Sequence, residues 1–393
     1  MKRSSDRILT THVGSLPRPD ALDDAFDARS QNEAAYQREL KRSVAEVVQL
    51  QIQNGVDIPN DGEFGKSSWT GYVNERLGGY DPRTIEPGQT ALAQGKDRAQ
   101  FAEFYAEATR KGNLWYRPDS RLRAPATPAA PVRMVATQPV TYTGQAAIQQ
   151  DIANFKAALE GTGIDEAFMP VVAPASIEPG RANEHYATEE EYVFAIAEAM
   201  REEYEAITNA GFLLQIDDAW VPAMWDRADA SLSLADYLKR CELRMDALNH
   251  ALRNIPEARI RYHICWGSWH GPHATDIPMK DLAPLMLKVK AQAYVFEAAN
   301  VRHEHEYHVW EEVKLPEGKI VIPGVVSHAT NVLEHPELVS ERLQRVARLV
   351  GKENVMGGTD CGLGGRVHPQ LGWAKLKVLA EGAALATQAL KRG

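Results

Sequence analysis

Cysteine is scarce in this chain, with three in 393 residues at Cys241, Cys265 and Cys361. So odd and sparse a set builds no disulfide framework; it points to a reducing compartment and to metal or catalytic use of the thiols. Positive charge is also short. The 44 Lys and Arg against 53 Asp and Glu give a formal net charge of −9, which argues against nucleic acid or an anionic membrane as partner. No basic stretch interleaved with aromatics offers a nucleic-acid footing. No apolar run approaches the length of a membrane span, and residues 1–11 are polar, without the apolar core of a signal peptide. These absences predict a cytoplasmic protein. What is present is ordinary: 44% hydrophobic and 25% charged residues, enough to bury a large core.

Short β-branched or apolar runs recur, each followed by a polar loop and a longer helical pattern. They fall at residues 8–13, 56–59, 132–136, 167–172, 212–216, 259–265, 293–297, 319–326 and 354–358. Between them lie helical patterns such as 189–210, with Tyr192, Phe194, Ile196, Met200, Tyr204 and Ile207 marking one face, and 336–350. This alternation predicts a parallel sheet with crossover helices. A doubly wound sheet would want a glycine-rich first turn, which Val13-Gly14-Ser15-Leu16-Pro17 does not supply. A (β/α)8 barrel forming one domain over 1–393 is the expectation. Nine segments exceed the eight needed, and 8–13 is assigned as an extended N-terminal segment over the barrel mouth. The proline-rich stretch 79–131, with one short helix near 99–109, reads as a long insertion, a lid or a subunit contact. A homo-oligomer is compatible with it.

The chemistry-bearing residues sit at predicted strand ends, the rim where barrel enzymes build their sites. His263-Ile264-Cys265 closes one strand, and residues two apart on a strand share a side. Glu297 closes the next, and Cys361 follows Gly357-Gly358-Thr359-Asp360 after the last. Two thiolates, an imidazole and a carboxylate form a soft set that suits zinc better than magnesium, calcium or manganese. Taken singly, a His-x-Cys is more often packing and a strand-end Glu a solvated carboxylate. On the residues alone, both readings stay open. Cys241, mid-helix among apolar neighbours, reads as a core thiol.

With these motifs in order, the chain resembles the catalytic C-terminal barrel of cobalamin-independent methionine synthases and its short single-barrel relatives. The likeness runs from Ile8-Leu9-Thr10-Thr11-His12-Val13-Gly14-Ser15-Leu16-Pro17-Arg18 through Asp61-Gly62-Glu63-Phe64, Leu214-Gln215-Ile216-Asp217, His263-Ile264-Cys265 and Phe296-Glu297 to Gly358-Thr359-Asp360-Cys361-Gly362-Leu363. It implies a zinc ion on His263, Cys265, Glu297 and Cys361. Val13, Gly14 and Ser15 would hold the carboxylate of homocysteine, Glu63 and Asp217 its ammonium, and His328 would serve as proton donor. A histidine suits that task because it titrates near neutrality.

The resemblance implies a thiol S-methyltransferase giving methionine. Full-length synthases carry a second, N-terminal barrel that helps hold a polyglutamylated methylfolate, which these 393 residues do not include. Pro139-Val140-Thr141 resembles part of a donor-site motif, so methylfolate stands beside other alkyl donors. Rival readings are transfer of coenzyme M to an epoxide, a metal-free decarboxylase of the uroporphyrinogen type, and a non-catalytic zinc or thiol carrier. Acids such as Glu63 and Asp217 suit an aminothiol, where a sulfonate wants Arg or Lys. The run His303-Glu304-His305-Glu306-Tyr307-His308 reads as a solvated loop or helix start. Trp266, Trp269, His270 and His273 are pocket walls or packing. Gly362, Gly364 and Gly365 lack the Lys-Ser/Thr of a phosphate loop.

Overall fold

A computed structural model describes residues 1–86, 94–112, 114 and 132–392. Among these residues ten strands run in chain order: β1 (Leu9–Thr10), β2 (Leu77–Thr84), β3 (Val132–Tyr142), β4 (Phe168–Val172), β5 (Arg181–Asn183), β6 (Leu213–Asp217), β7 (Ile260–His263), β8 (Ala293–Phe296), β9 (Ile320–Val326) and β10 (Met356–Thr359). Seven form one curled sheet in the order β1-β10-β9-β8-β7-β6-β4, with every pair parallel. Residues 56–59 close the circle between its edges. Asp57 and Ile58 donate to the carbonyl of Thr10 at 3.0 and 3.2 Å, and Phe168 donates to that of Pro59 at 3.0 Å. The result is the expected α/β barrel, with eight staves.

Which segment stands outside it differs from expectation. Residues 8–13 do not lie over the mouth; Leu9 and Thr10 pair with Met356 and Gly357 in the wall. The segment outside is 132–136, whose strand β3 pairs antiparallel with β2 and parallel with β5 in a separate three-stranded sheet. The reason is amphipathicity. A barrel stave is buried on both faces, as in 8–13, where Ile8 joins the outer core while Leu9 and Val13 join the inner one. Strand β3 instead leaves Val132, Gln138, Pro139 and Thr141 exposed while burying Val135, Ala136, Val140 and Tyr142.

Two apolar layers follow from strand alternation. Phe168, Leu213, Ala293, Val295, Ile320, Ile322 and Met356 fill the barrel interior. Leu214, Ile216, Ile260, Tyr262, Tyr294, Phe296, Val321 and Val325 face the helices. Those helices carry sequence-encoded starts. Glu189–Asn209 has three glutamates in its first turn, and the Thr188 side chain accepts from the Glu191 N–H, satisfying an end group and complementing the helix dipole. The inward parity continues past each strand end, which positions the site.

Candidate active site

On β7 the inward row is Arg261, His263, Cys265, since Ile260, Tyr262 and Ile264 all face the helices. On β8 it is Ala293, Val295 and then Glu297. On β10, Met356 faces inward, and simple alternation would turn Asp360 in and Cys361 out. A register shift between Gly358 and Thr359 reverses this, as bulges re-aim side chains. Thr359 Oγ1 accepts from the Val13 N–H at 3.1 Å, and Cys361 Sγ lies 3.9 Å from Cys265 Sγ.

The donor atoms of His263, Cys265 and Cys361 all lie within 4.8 Å of one another. His263 Nδ1 meets Asp217 Oδ1 at 2.9 Å, leaving Nε2 as the free ring nitrogen, buried and without a hydrogen-bond partner among the described residues. Burial works against the imidazolium of His263, but the hydrogen bond and charge of Asp217 and the Cys361 sulfur outweigh it and raise its pKa. The hydrogen bond between the sulfurs lowers Cys361 and raises Cys265, the pattern of two thiols sharing one proton. An orphaned imidazole nitrogen beside two sulfurs fits a soft cation.

Glu297 falls in an adjoining group, its carboxylate within 4.8 Å of His328 and Asp360. Its Oε1 accepts from the Trp266 N–H at 2.9 Å and its Oε2 from Asn300 Nδ2 at 2.6 Å. Burial and the nearby Asp360 push its pKa well up. Asp360 Oδ1 accepts from the N–H groups of Ala298 and Ala299, each at 2.8 Å; burial still lifts it to about 6. His328 is buried, with Nδ1 unpartnered. Burial lowers its pKa to about 4, against the pull of Cys361.

The opening motif and two acids gather beside these groups. Gly14 lies so close to Glu63 that a Cβ there would collide with Oε1. Ser15 is strapped to the loop after Cys361, its carbonyl accepting from Leu363 and Gly364 at 2.9 and 3.0 Å. Those glycine-loop amides are therefore engaged within the chain. Glu63 adopts φ 60, a left-handed geometry that costs a non-glycine residue energy and concentrates at functional sites. Burial, opposed by Lys66 and reinforced by Asp217 and Asp61, lifts its pKa to about 7. Asp217 is also buried. Asp218 points to the other side, onto Ser176 Oγ at 2.6 Å and the Tyr262 hydroxyl at 2.8 Å.

Several roles escaped the sequence reading. Asp217 orients His263 because the β6–β7 register sets the two side by side, and no local motif reports a register. Ser268 Oγ donates to Cys361 Sγ at 3.2 Å. His303 is not solvated but buried, stacked on Trp266 at 3.8 Å and bonded to Glu306 at 2.7 Å and Asp276 at 3.1 Å. His12 bonds Gln51 at 2.7 Å, and Arg18 donates to the Glu63 carbonyl at 2.9 Å; both brace the wall. Pro139-Val140-Thr141 lies in β3, outside the barrel. Cys241 is buried and free, as expected.

The arrangement defines a class: an α/β barrel enzyme with a thiol-bearing donor cluster at the carboxyl ends of its strands. Comparison with known proteins shows what it is similar to. Residues 8–167 match the family described as cobalamin-independent synthase, catalytic domain. The chain is 21% identical to the methionine synthase of Thermococcus kodakarensis over 389 residues, 98% of this chain and 95% of that protein. It is 23% identical to that of Saccharolobus solfataricus over 392 residues, 98% and 96% of the two. Among solved structures, a B12-independent methionine synthase from Shewanella sp. W3-18-1, in complex with selenomethionine, superposes with a TM-score of 0.70 at 17% identity, covering 98% of this chain and 100% of that one. A putative vitamin-B12 independent methionine synthase from Listeria monocytogenes gives 0.64 at 18%, over 96% and 98%. These superpositions show a common fold, and the chain resembles the cobalamin-independent methionine synthases over nearly its whole length.

Proposed function

We propose that this chain is a zinc-dependent S-methyltransferase that methylates homocysteine to methionine. The kinship supports a methyltransferase; zinc and the amino-acid acceptor are the further steps. One observation carries them: the orphaned, buried Nε2 of His263 faces two sulfurs 3.9 Å apart. His263, Cys265 and Cys361 would hold the ion, with Glu297 from the adjoining group.

A free thiol, with pKa about 8.5, is mostly protonated at neutral pH. Bound zinc supplies Lewis acidity that favours the substrate thiolate. The chain's own residues do the rest. Glu63 and Asp217, two buried acids, favour a cationic ammonium between them, and the Val13-Gly14-Ser15 segment beside them takes the carboxylate. The neutral Nδ1 of His328 accepts the thiol proton. The carbon–sulfur bond then forms as the donor–methyl bond breaks, and His328 returns that proton to the leaving group. An N-methyl donor such as methylfolate meets these requirements. No helix among the described residues is long and apolar enough to cross a membrane, and the three cysteines are free. We take the enzyme to be cytoplasmic and to work as one barrel domain with its insertion.

The test is metal analysis with zinc-edge absorption spectroscopy. Stoichiometric zinc and a new zinc–sulfur contact on adding homocysteine, absent with coenzyme M, are expected. Cys361→Ser should lose most of the metal. Full zinc content and activity in that variant would remove Cys361 from the ligand set.

A further inference from the structure

The inserted segment does not sit idle on the surface. Its helices Lys96–Gln100 and Ala102–Lys111 grip the loop that follows Cys265. Asp97 is 1% exposed, and its carboxylate accepts three hydrogen bonds. Oδ2 takes the Tyr105 hydroxyl at 2.6 Å and the His273 N–H at 3.2 Å, and Oδ1 takes the Ala274 N–H at 3.0 Å. The Asp97 N–H reaches Asp226 Oδ1 at 2.8 Å, an oxygen that also accepts from Thr275 Oγ1 at 2.7 Å.

The gripped turn is strained. His273 adopts φ 54 and stacks on Trp269 at 4.1 Å. The Trp269 indole donates to the Tyr105 hydroxyl at 3.1 Å, so an insertion residue also fixes the ring. Gly267, at φ 94, has no room for a Cβ against that ring. Between Gly267 and Trp269 stands Ser268, whose hydroxyl donates to Cys361 Sγ. The backbone of Ser268 is therefore fixed through its neighbour Trp269, and Trp269 is held from the insertion.

We infer that Asp97 is a positioning residue: it clamps loop 266–276 so that Ser268 stays hydrogen-bonded to the sulfur of Cys361. What that sulfur does rests on the zinc–thiol function proposed above; the coupling itself does not. Groups just beyond a metal's ligands change affinity 10–100-fold when removed, and residues acting through one path are non-additive. The experiment compares zinc release to a chromogenic chelator in the full chain and its Asp97→Ala, Ser268→Ala and doubly substituted variants. Each single change should speed release about tenfold, and the double no further. Tyr105→Phe, which keeps the carboxylate, should shift release in the same direction and guards against a misfolded Asp97 variant. Wild-type release in Asp97→Ala, or effects that multiply in the double variant, would overturn the coupling. Should the wild type take up no zinc, the function proposal fails separately. Maleimide labelling of Cys361, mapped by mass spectrometry, must then change by one common factor in all three variants, or the coupling fails too.

Discussion

Asp217 has one duty in the structure and a second under the proposed function, and a single carboxylate can hold both only because they use different properties. Its Oδ1 accepts from His263 Nδ1 and from Gln215 Nε2, both at 2.9 Å, which needs an oxygen lone pair. In the proposed function its charge favours a substrate ammonium, which needs the anion. Asparagine keeps the first and loses the second. Asp217→Asn should therefore raise the KM for homocysteine at least tenfold while retaining zinc, and Asp217→Ala should weaken zinc as well, by 10–100-fold. Steady-state kinetics beside metal titration separate the two. An Asp217→Asn variant with unchanged KM would remove Asp217 from the ammonium contact. The sequence made the acid visible through Leu214-Gln215-Ile216-Asp217 but hid its bond to His263, because a pairing between strands 46 residues apart leaves no local trace.

At the scale of the strand, the delivery of Cys361 depends on space as much as on chemistry. The bulge at Gly358–Thr359 swings Asp360 toward β9, where Gly324 receives it. A Cβ on Gly324 would stand 2.5 Å from Asp360 Cα and 2.6 Å from its N, and backbone cannot yield as a side-chain tip can. Gly324→Ala should cost roughly 1–3 kcal/mol of stability by overpacking. By displacing the segment that carries Cys361, it should also lower zinc content; calorimetry and metal analysis read both. A variant with wild-type stability and full metal would show the fit at Gly324 to be unimportant. Element legibility followed the same line. The inward rows ending in His263-x-Cys265 and Glu297 could be read from period-two alternation, but the bulge that turns Cys361 inward could not. Nor could the wall position of 8–13, since a segment apolar on both faces reads alike as a buried stave or as a strap over the mouth.

The whole barrel buries polar groups in its interior beside the apolar layer, and these tie stability to pH. His12 is fully buried, edge-on to Phe168 at 5.4 Å. Its Nε2 donates to Gln51 Oε1, since the Gln51 amide nitrogen is itself engaged with the carbonyls of Val47 and Asn60. Nδ1 is left without a partner. Burial dominates; the Gln51 bond opposes it and Arg261, donating to the His12 carbonyl at 2.9 Å, reinforces it, so the pKa falls from 6.5 to about 3. A histidine lowered on folding binds its proton more readily when unfolded. Its contribution is therefore complete above pH 6.5 and is lost as pH falls toward 3, by about 1.4 kcal/mol per pH unit within that window. Buried carboxylates raised on folding, Glu63 and Asp360 among them, push the other way, so the total slope mixes signs. His12→Gln isolates the histidine, because glutamine can still donate to Gln51 yet does not titrate. Denaturant unfolding from pH 7 to 4 should show the variant losing less stability than the wild type, the difference growing steadily below pH 6.5. Parallel curves would mean that His12 takes up its proton without opening the barrel.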